Sequence, residues 1–349
     1  MEWNEEKAQE IVQKHKKRFS LRLSLKIIRV SVLIILLYSV YMIAISIFYD
    51  SSKIGKRTEF YQKLAIDWTS PELSSEIGLA HTHEITPFLT QKINFPLEKR
   101  IGGKSYVVSQ LELSKPLLTP FTTVKNEQNY PYESTDPGFH FYLPYDPSSG
   151  SKLSGKEDSD SWRILKMLHE GNVANLAFSM NDYYSPQEIT EYLSSYRITV
   201  LWMPLYMGEL QKFTEGGWEG WGGWNGQGSG DNTMLSQSPW GLSGARLVDE
   251  DFMGGSLINE LDEESIEESQ NAMIQNMQMM LKTKKNVAEK LLGTEYLQER
   301  VDYLNDEGFQ AYGAVVTGPV KELLKLQELE EIHGVQLGEI KHWNIDGGW

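Results

Sequence analysis

The segment His81-Thr82-His83-Glu84 is the densest grouping of metal-ligand side chains in this chain. Two histidines at i and i+2 share a face only on a strand, and a third ligand such as His140 has to come from far along the sequence. No HExxH pair accompanies them, and the chain has no cysteine, which removes every thiolate zinc site. They read as surface or hydrogen-bonded histidines, and no metal ligand is assigned. Covalent chemistry lacks its parts as well. There is no G-x-S-x-G elbow and no phosphate-binding loop, and Gly226, Gly228 and Gly230 do not reproduce G-x-G-x-x-G. Acids such as Glu170 could pair for glycoside hydrolysis, but a sequence does not show the carboxylate separation of about 5–9.5 Å that this needs. The chain is read as a non-enzyme without a cofactor.

Side chains suited to recognition are easier to find. Residues 216–230 hold eight glycines and three tryptophans, Trp218, Trp221 and Trp224. Such glycine density makes a regular element entropically costly, so this is a loop. Together with Trp240 it supports one functional alternative, a cell-surface receptor or wall-binding protein. Residues 249–268 carry nine acids and no cation, without the alternating spacing and turn glycine of a calcium loop. Asp262, Glu263 and Glu264 fit the positive end of a helix that runs to about residue 291. Near the N-terminus, residues 5–19 form a helix with Ala8, Ile11, Val12, His15 and Phe19 along one side. Trp3 and acids precede it and cations follow, in the sense the helix dipole favours. Two readings stay open for it: a basic helix lying on anionic lipid, or apolar anchors offered to the groove of a cytosolic partner.

The element that positions this helix is residues 30–49, a run of twenty without a charge. Twelve are Leu, Ile, Val or Phe, which favour insertion by about 4–7 kcal/mol. Twenty residues span about 30 Å, the thickness of the hydrocarbon core. Seven cations lie between Lys14 and Arg29 with no acid among them, whereas only Lys53, Lys56 and Arg57 follow closely. The larger collar stays in the cytoplasm, so residues 1–29 are expected inside and residues from 50 onward outside. Ala44-Ile45-Ser46 has the spacing of a signal-peptidase site. The apolar run is too long for a cleaved signal, however, and bulky Ile47, Phe48 and Tyr49 follow, so an uncleaved anchor is expected.

Residues 1–29 carry a net charge of +4 and the remainder −19. An acidic exterior is a poor nucleic-acid binder, so no direct nucleic-acid contact is expected. A large extracytoplasmic part without cysteine points to a Gram-positive cell surface. Residues 50–157 read as short extended pieces and a linker, with a strand at 104–113 and many prolines. From residue 158 the order is helix (162–170, capped by Ser161), strand (173–178), Ser185-Pro186 helix and strand (197–206). It recurs as helix (295–305), strand (309–317), Gly318-Pro319 helix and strand (335–343). Ser179 and Thr317 mark equivalent strand ends. The fold expected is α+β: a single transmembrane helix plus an extracytoplasmic α+β domain over 158–343. That domain is built from two helix-strand-helix-strand units, with the Gly/Trp-rich insert at 210–260 between them.

Certain of these residues resemble a known family. They are Trp162, Leu165 and Leu168, residues 170–179 (EGNVANLAFS), Tyr184, Leu193, residues 200–208 (VLWMPLYMG), residues 313–318 (GAVVTG), Leu323, Leu324 and Leu326. With the basic segment and span before them, they are similar to the membrane-anchored sigma-factor regulators of Gram-positive, Bacillus-like bacteria. The resemblance covers residues 7 to about 105 and 158 to 330. It implies an anti-sigma factor whose cytoplasmic end sequesters an extracytoplasmic-function sigma factor while the exterior part receives an envelope signal. Many anti-sigma factors grip sigma with a zinc-binding His/Cys fold, and this chain lacks one. The grip then falls to the short helix, through Ile11, Val12 and Phe19 with Trp3 and His15. A second membrane protein and membrane lipids are the other partners expected.

Overall fold

The structure is a computed structural model that describes residues 5–75, 82–117, 119, 122–127, 138–156, 160–213, 233–236, 239–248, 252, 255–292 and 296–342. Helix α1 (Glu5–Ser52) is unbroken. The cytoplasmic helix and the span expected as separate pieces are therefore one rod of about 72 Å. Among the described residues it is the one helix long and apolar enough to cross a membrane, with a window of mean hydropathy 2.5. Protein covers it only near its far end, where Ile45 and Tyr49 are buried and Met42 is half-buried.

Lys53 takes a left-handed conformation (φ 53°) and breaks the rod, and α2 (Ile54–Thr69) starts at once. This helix corrects the expectation of extended pieces after residue 50. Its apolar face, Phe60, Tyr61, Leu64, Ala65 and Trp68, is flanked by a charged stripe, Glu59, Lys63 and Asp67. All three are buried and paired, Glu59 with Lys63 at 2.8 Å and Asp67 with Arg246. Burial lowers the Lys63 pKa, and the Glu59 carboxylate opposes that shift.

Four strands follow as an antiparallel sheet in chain order: β1 (Thr82–Thr86), β2 (Thr90–Ile101), β3 (Lys104–Pro116) and β4 (Thr123–Glu127). The larger sheet belongs to the two repeated units. The first is α3 (Ser161–Met167), β5 (Asn172–Tyr184), α4 (Pro186–Leu193) and β6 (Thr199–Tyr206). Strands β7 (Trp240–Ser243), β8 (Arg246–Val248) and β9 (Gly255–Leu257) and helix α5 (Ile266–Leu292) then intervene. The second unit is α6 (Leu297–Glu307), β10 (Gln310–Pro319), α7 (Val320–Lys325) and β11 (Ile332–His342). The units interleave: the strand order is β11-β5-β10-β6-β7, with every neighbour antiparallel. Strands β5 and β6 are thus parallel with β10 between them, a split βαβ unit, and the sheet has ferredoxin-like topology.

Local signals agree where they are chemical. Ser185 and Glu188 make the reciprocal capping box, with Glu188 N–H donating to Ser185 Oγ and Ser185 N–H to the Glu188 carboxylate. Ser161, expected as a cap, instead donates to Val335 O and accepts from Leu337 N–H, tying α3 to the edge strand β11. Ser179 and Thr317 lie opposite Gly313 and Asn175, within the central strand pair rather than at matching ends. Gly313 sits at a bulge of β10, where a Cβ would come within 2.4 Å of Phe178 O and 3.2 Å of Pro204 Cγ.

Both faces of the larger sheet are covered. One presents Leu176, Phe178, Met203, Leu205 and Val316 to the helices. The other carries Asn175, Ser179 and Thr317 among its apolar residues, and these buried polar groups take hold of N-terminal segments. Asn175 donates to Arg100 O, Thr317 Oγ1 accepts from Gly102 N–H, and Ser179 Oγ accepts from Tyr142 N–H. Helix α2 is locked in the same way. Trp202 Nε1 donates to Asp67 O at 3.0 Å, and Arg246 grips the Asp67 carboxylate through two hydrogen bonds of 2.7 and 3.1 Å.

Arg246→Met leaves the Asp67 carboxylate buried without its counter-charge. A loss of about 3–5 kcal/mol is expected, read as a lower urea midpoint of the full chain in detergent. The pair Asp67→Leu with Arg246→Met should recover most of that loss. Equal damage from the single and double variants would assign the effect to lost packing instead.

Candidate functional site

The apolar stripe lies on the N-terminal half of α1. At 100° per residue, Ile11, Val12, His15 and Phe19 fall within an arc of about 100°. All four are exposed, Ile11 at 59%, Val12 at 64% and Phe19 at 71%. Trp3 lies outside the described residues. The same arc continues toward the span as Arg22, Lys26 and Arg29, so one helix face is apolar at its tip and cationic at its root. Grouping these three cations with Lys14, Lys16, Lys17 and Arg18 as a collar hides that continuity. Carrying the helical period past residue 19 reveals it. Because α1 continues unbroken through residue 29, Phe19 lies about 16 Å and Ile11 about 28 Å along the helix from the start of the apolar run at Val30.

The other candidates resolve into structure. His83 places Nε2 at 3.3 Å from Glu59 and Nδ1 at 3.3 Å from Gln91 Nε2, so its ring is engaged by neighbours. His81 is outside the described residues, and among those described no three metal-ligand side chains cluster. Residues 216–230 with Trp218, Trp221 and Trp224 are also outside them, as are acids 249–251. Asp262 Oδ1 accepts from Glu264 and Ser265 N–H at the approach to α5.

Trp240 is a core residue, which removes it from any surface-binding set. It stacks on Trp68 of α2 with centroids 5.7 Å apart, and the Arg300 guanidinium lies over its ring, 4.7 Å from the centroid. Arg300, fully buried, also covers Phe213 at 4.9 Å and pairs with Glu209. Phe213 in turn stacks on Tyr296. This column runs from α2 to the root of the insert, and sequence reasoning missed it because its members are scattered from residue 68 to 300. Beside it, Tyr183 stacks on Tyr206, which meets Tyr303 edge-on. Burial pushes the Tyr303 hydroxyl up to about 12, helped by the Glu307 and Glu209 carboxylates. Tyr183, Tyr206 and Tyr312 are raised further by the same cause.

Two regions of the chain match known sequence families. Residues 9–106 match the family described as sigma factor regulator N-terminal, and residues 165–339 the one described as sigma factor regulator C-terminal. The chain belongs to the sigma factor regulator family. Its C-terminal match begins inside α3 and ends inside β11, so it takes in the interleaved sheet with its insert. The N-terminal match takes in α1, α2 and the first hairpin. A similar relative is the "Probable anti-sigma-M factor YhdL" of Bacillus subtilis (strain 168), 24% identical over 252 residues. That alignment covers 72% of this chain and 60% of the relative's own length. No solved structure matches.

In this regulator the tyrosine cluster makes stability sensitive to alkali. A raised folded pKa contributes stability that is complete below the unfolded value near 10 and is lost as pH rises through the folded values. The full chain should hold its near-ultraviolet circular dichroism at pH 9 and lose it above pH 10. Tyr303→Phe should lessen the loss between pH 10 and 12. An unchanged alkaline profile in that variant removes Tyr303 from the effect.

Proposed function

We propose that this chain is an anti-sigma factor that holds an extracytoplasmic-function sigma factor at the membrane and releases it in response to an envelope signal. In this reading the N-terminus is cytoplasmic, α1 crosses once, and everything beyond Asp50 is extracytoplasmic. The family assignment supports regulation of a sigma factor and gives no reason to expect catalysis. The name of the Bacillus relative supports sequestration as the mode.

The observation that carries the residue-level reading is the unbroken α1. A helix that lies on lipid must turn by about 90° where it enters the span. A continuous rod instead holds Ile11, Val12, His15 and Phe19 away from the bilayer, where a groove on a protein can take them. Arg22, Lys26 and Arg29 on the same arc lie next to anionic headgroups and steady the rod. The competing reading as a wall-binding receptor is weakened because Trp240 is a core residue.

Burying a large apolar side chain is worth about 1.5–3 kcal/mol, so losing Ile11 and Val12 together should weaken sigma binding by at least about a hundredfold. Ile11→Asp with Val12→Asp is expected to raise transcription of a sigma-dependent reporter and to abolish co-purification of sigma. The protein should stay in the membrane fraction. If that variant represses fully while neutralising Lys14, Lys16, Lys17 and Arg18 abolishes repression, the contact is electrostatic and the stripe assignment is wrong. Topology is checked separately. Protease added to intact protoplasts should remove nearly everything beyond Asp50, and protection of the large C-terminal part would reverse the orientation.

A further inference from the structure

The turn between β1 and β2, Pro87-Phe88-Leu89, reaches the transmembrane helix rather than stopping above it. Tyr41 Oη donates to Pro87 O at 2.8 Å, and Tyr49 Oη donates to Leu89 O at 2.7 Å. Tyr49 ends the apolar run and Tyr41 lies eight residues deeper, about 12 Å along the helix axis. The turn therefore sits alongside the span, at the depth of the upper acyl chains. It meets α1 where Met42, Ile45 and Tyr49 are shielded from solvent.

Two further features suit an apolar surrounding. Phe88 is 88% exposed, the most exposed large apolar side chain outside α1 among the described residues, and it caps the tip of a well-formed hairpin. An aromatic so placed in water has nothing to gain, whereas beside the extracytoplasmic half of the span it joins Phe48 and Tyr49 as an anchor. The backbone on either side of Phe88 is satisfied internally. Thr86 O accepts from Leu89 N–H, Pro87 O and Leu89 O accept the tyrosine hydroxyls, Leu89 O accepts from Leu117 N–H as well, and Pro87 has no N–H to satisfy. Meeting these groups lowers the cost of holding non-helical backbone beside the span.

We propose that the β1–β2 tip is a membrane wedge, with Phe88 buried among the acyl chains of the leaflet on the extracytoplasmic side. This rests on the reading of α1 as a span, and it adds that the folded exterior part has its own lipid contact. The occupant is lipid, because the tip projects beside α1 at a depth where lipid is the surrounding solvent and because Phe88 points away from all described protein.

The chain has no cysteine, so single cysteines can be spin-labelled uniquely. Phe88→Cys, Ile35→Cys inside the cytoplasmic half of the span and Val107→Cys at the far end of β3 are each made in the full chain. They are reconstituted in vesicles of phosphatidylglycerol and phosphatidylethanolamine, and collision with oxygen and with a water-soluble nickel chelate is compared. Expected is a Phe88 site that meets oxygen freely and nickel as poorly as Ile35, while Val107 meets nickel well. A Phe88 site open to nickel while Ile35 is shielded overturns the wedge and leaves the span intact. Nickel access at Ile35 overturns the span and the wedge together. Shielding of residue 88 from both probes means protein covers it, which also overturns the lipid assignment. If residue 88 is open in vesicles but protected from an impermeant maleimide in whole protoplasts, the occupant is a second membrane protein rather than lipid.

Discussion

The position of α2 rests on one buried carboxylate. Asp67 gives both oxygens to Arg246 and its backbone carbonyl to Trp202, so a single residue fixes the helix against β6 and against the segment after β7. Arg246 is held from two more directions, donating to Ser75 O and offering its own carbonyl to Asn276 of α5. A buried pair of this kind adds little over a well-packed apolar pair, but losing either partner is severe, so it acts chiefly to enforce one arrangement. Here the arrangement matters because α2 is separated from α1 by Lys53 alone. Whatever fixes α2 to the sheet also fixes the sheet to the anchor.

The rest of the C-terminal part is attached through directional bonds as well. Strands buried on both faces usually carry apolar side chains throughout, yet Asn175, Ser179 and Thr317 sit in the central pair β5–β10. Each is neutral and each takes a backbone group of an incoming segment, the end of β2, the β2–β3 turn or the stretch before β5. Directional bonds select a register that apolar contact alone leaves loose. The Trp68–Trp240–Arg300–Phe213 column does the same across the helices, and it brings α2 into line with the root of the insert.

The order of elements from residue 161 is legible in the sequence because breakers punctuate it. Ser185-Pro186, Gly308 and Gly318-Pro319 set helix and strand ends, and strands covered on both sides appear as apolar runs. Periodicity shows that β5 and β10 are strands but says nothing about which strands neighbour each other, so the interleaving of the units was beyond it. Helix α2 was missed for a related reason. Glu59, Lys63 and Asp67 form a charged stripe beside its apolar face that is nevertheless buried, and their partners come from within the helix, from β1 and from residue 246. On α1 the stripe Ile11, Val12, His15 and Phe19 was legible because a free helix exposes its period directly. Trp240 was misread because a tryptophan's type does not reveal whether it lies in a core or on a surface.

In the proposed topology, a signal received by the C-terminal part can reach the N-terminal stripe only by favouring one state of the anchor over another, and the geometry limits what those states are. Helix α1 is continuous, so local melting within it is not how its two ends communicate. Displacement, tilt or rotation of the whole rod is what it can carry. The joint at Lys53 is where the helical path breaks, with a non-glycine residue in the left-handed region. The rod is also held through Tyr41 and Tyr49 against the turn at Pro87–Leu89. A movement of the C-terminal part about Lys53 must therefore break, or drag with it, the contact along the apolar run. While those two hydrogen bonds hold, the C-terminal part cannot tilt without moving the helix that carries Ile11, Val12, His15 and Phe19 near its other end.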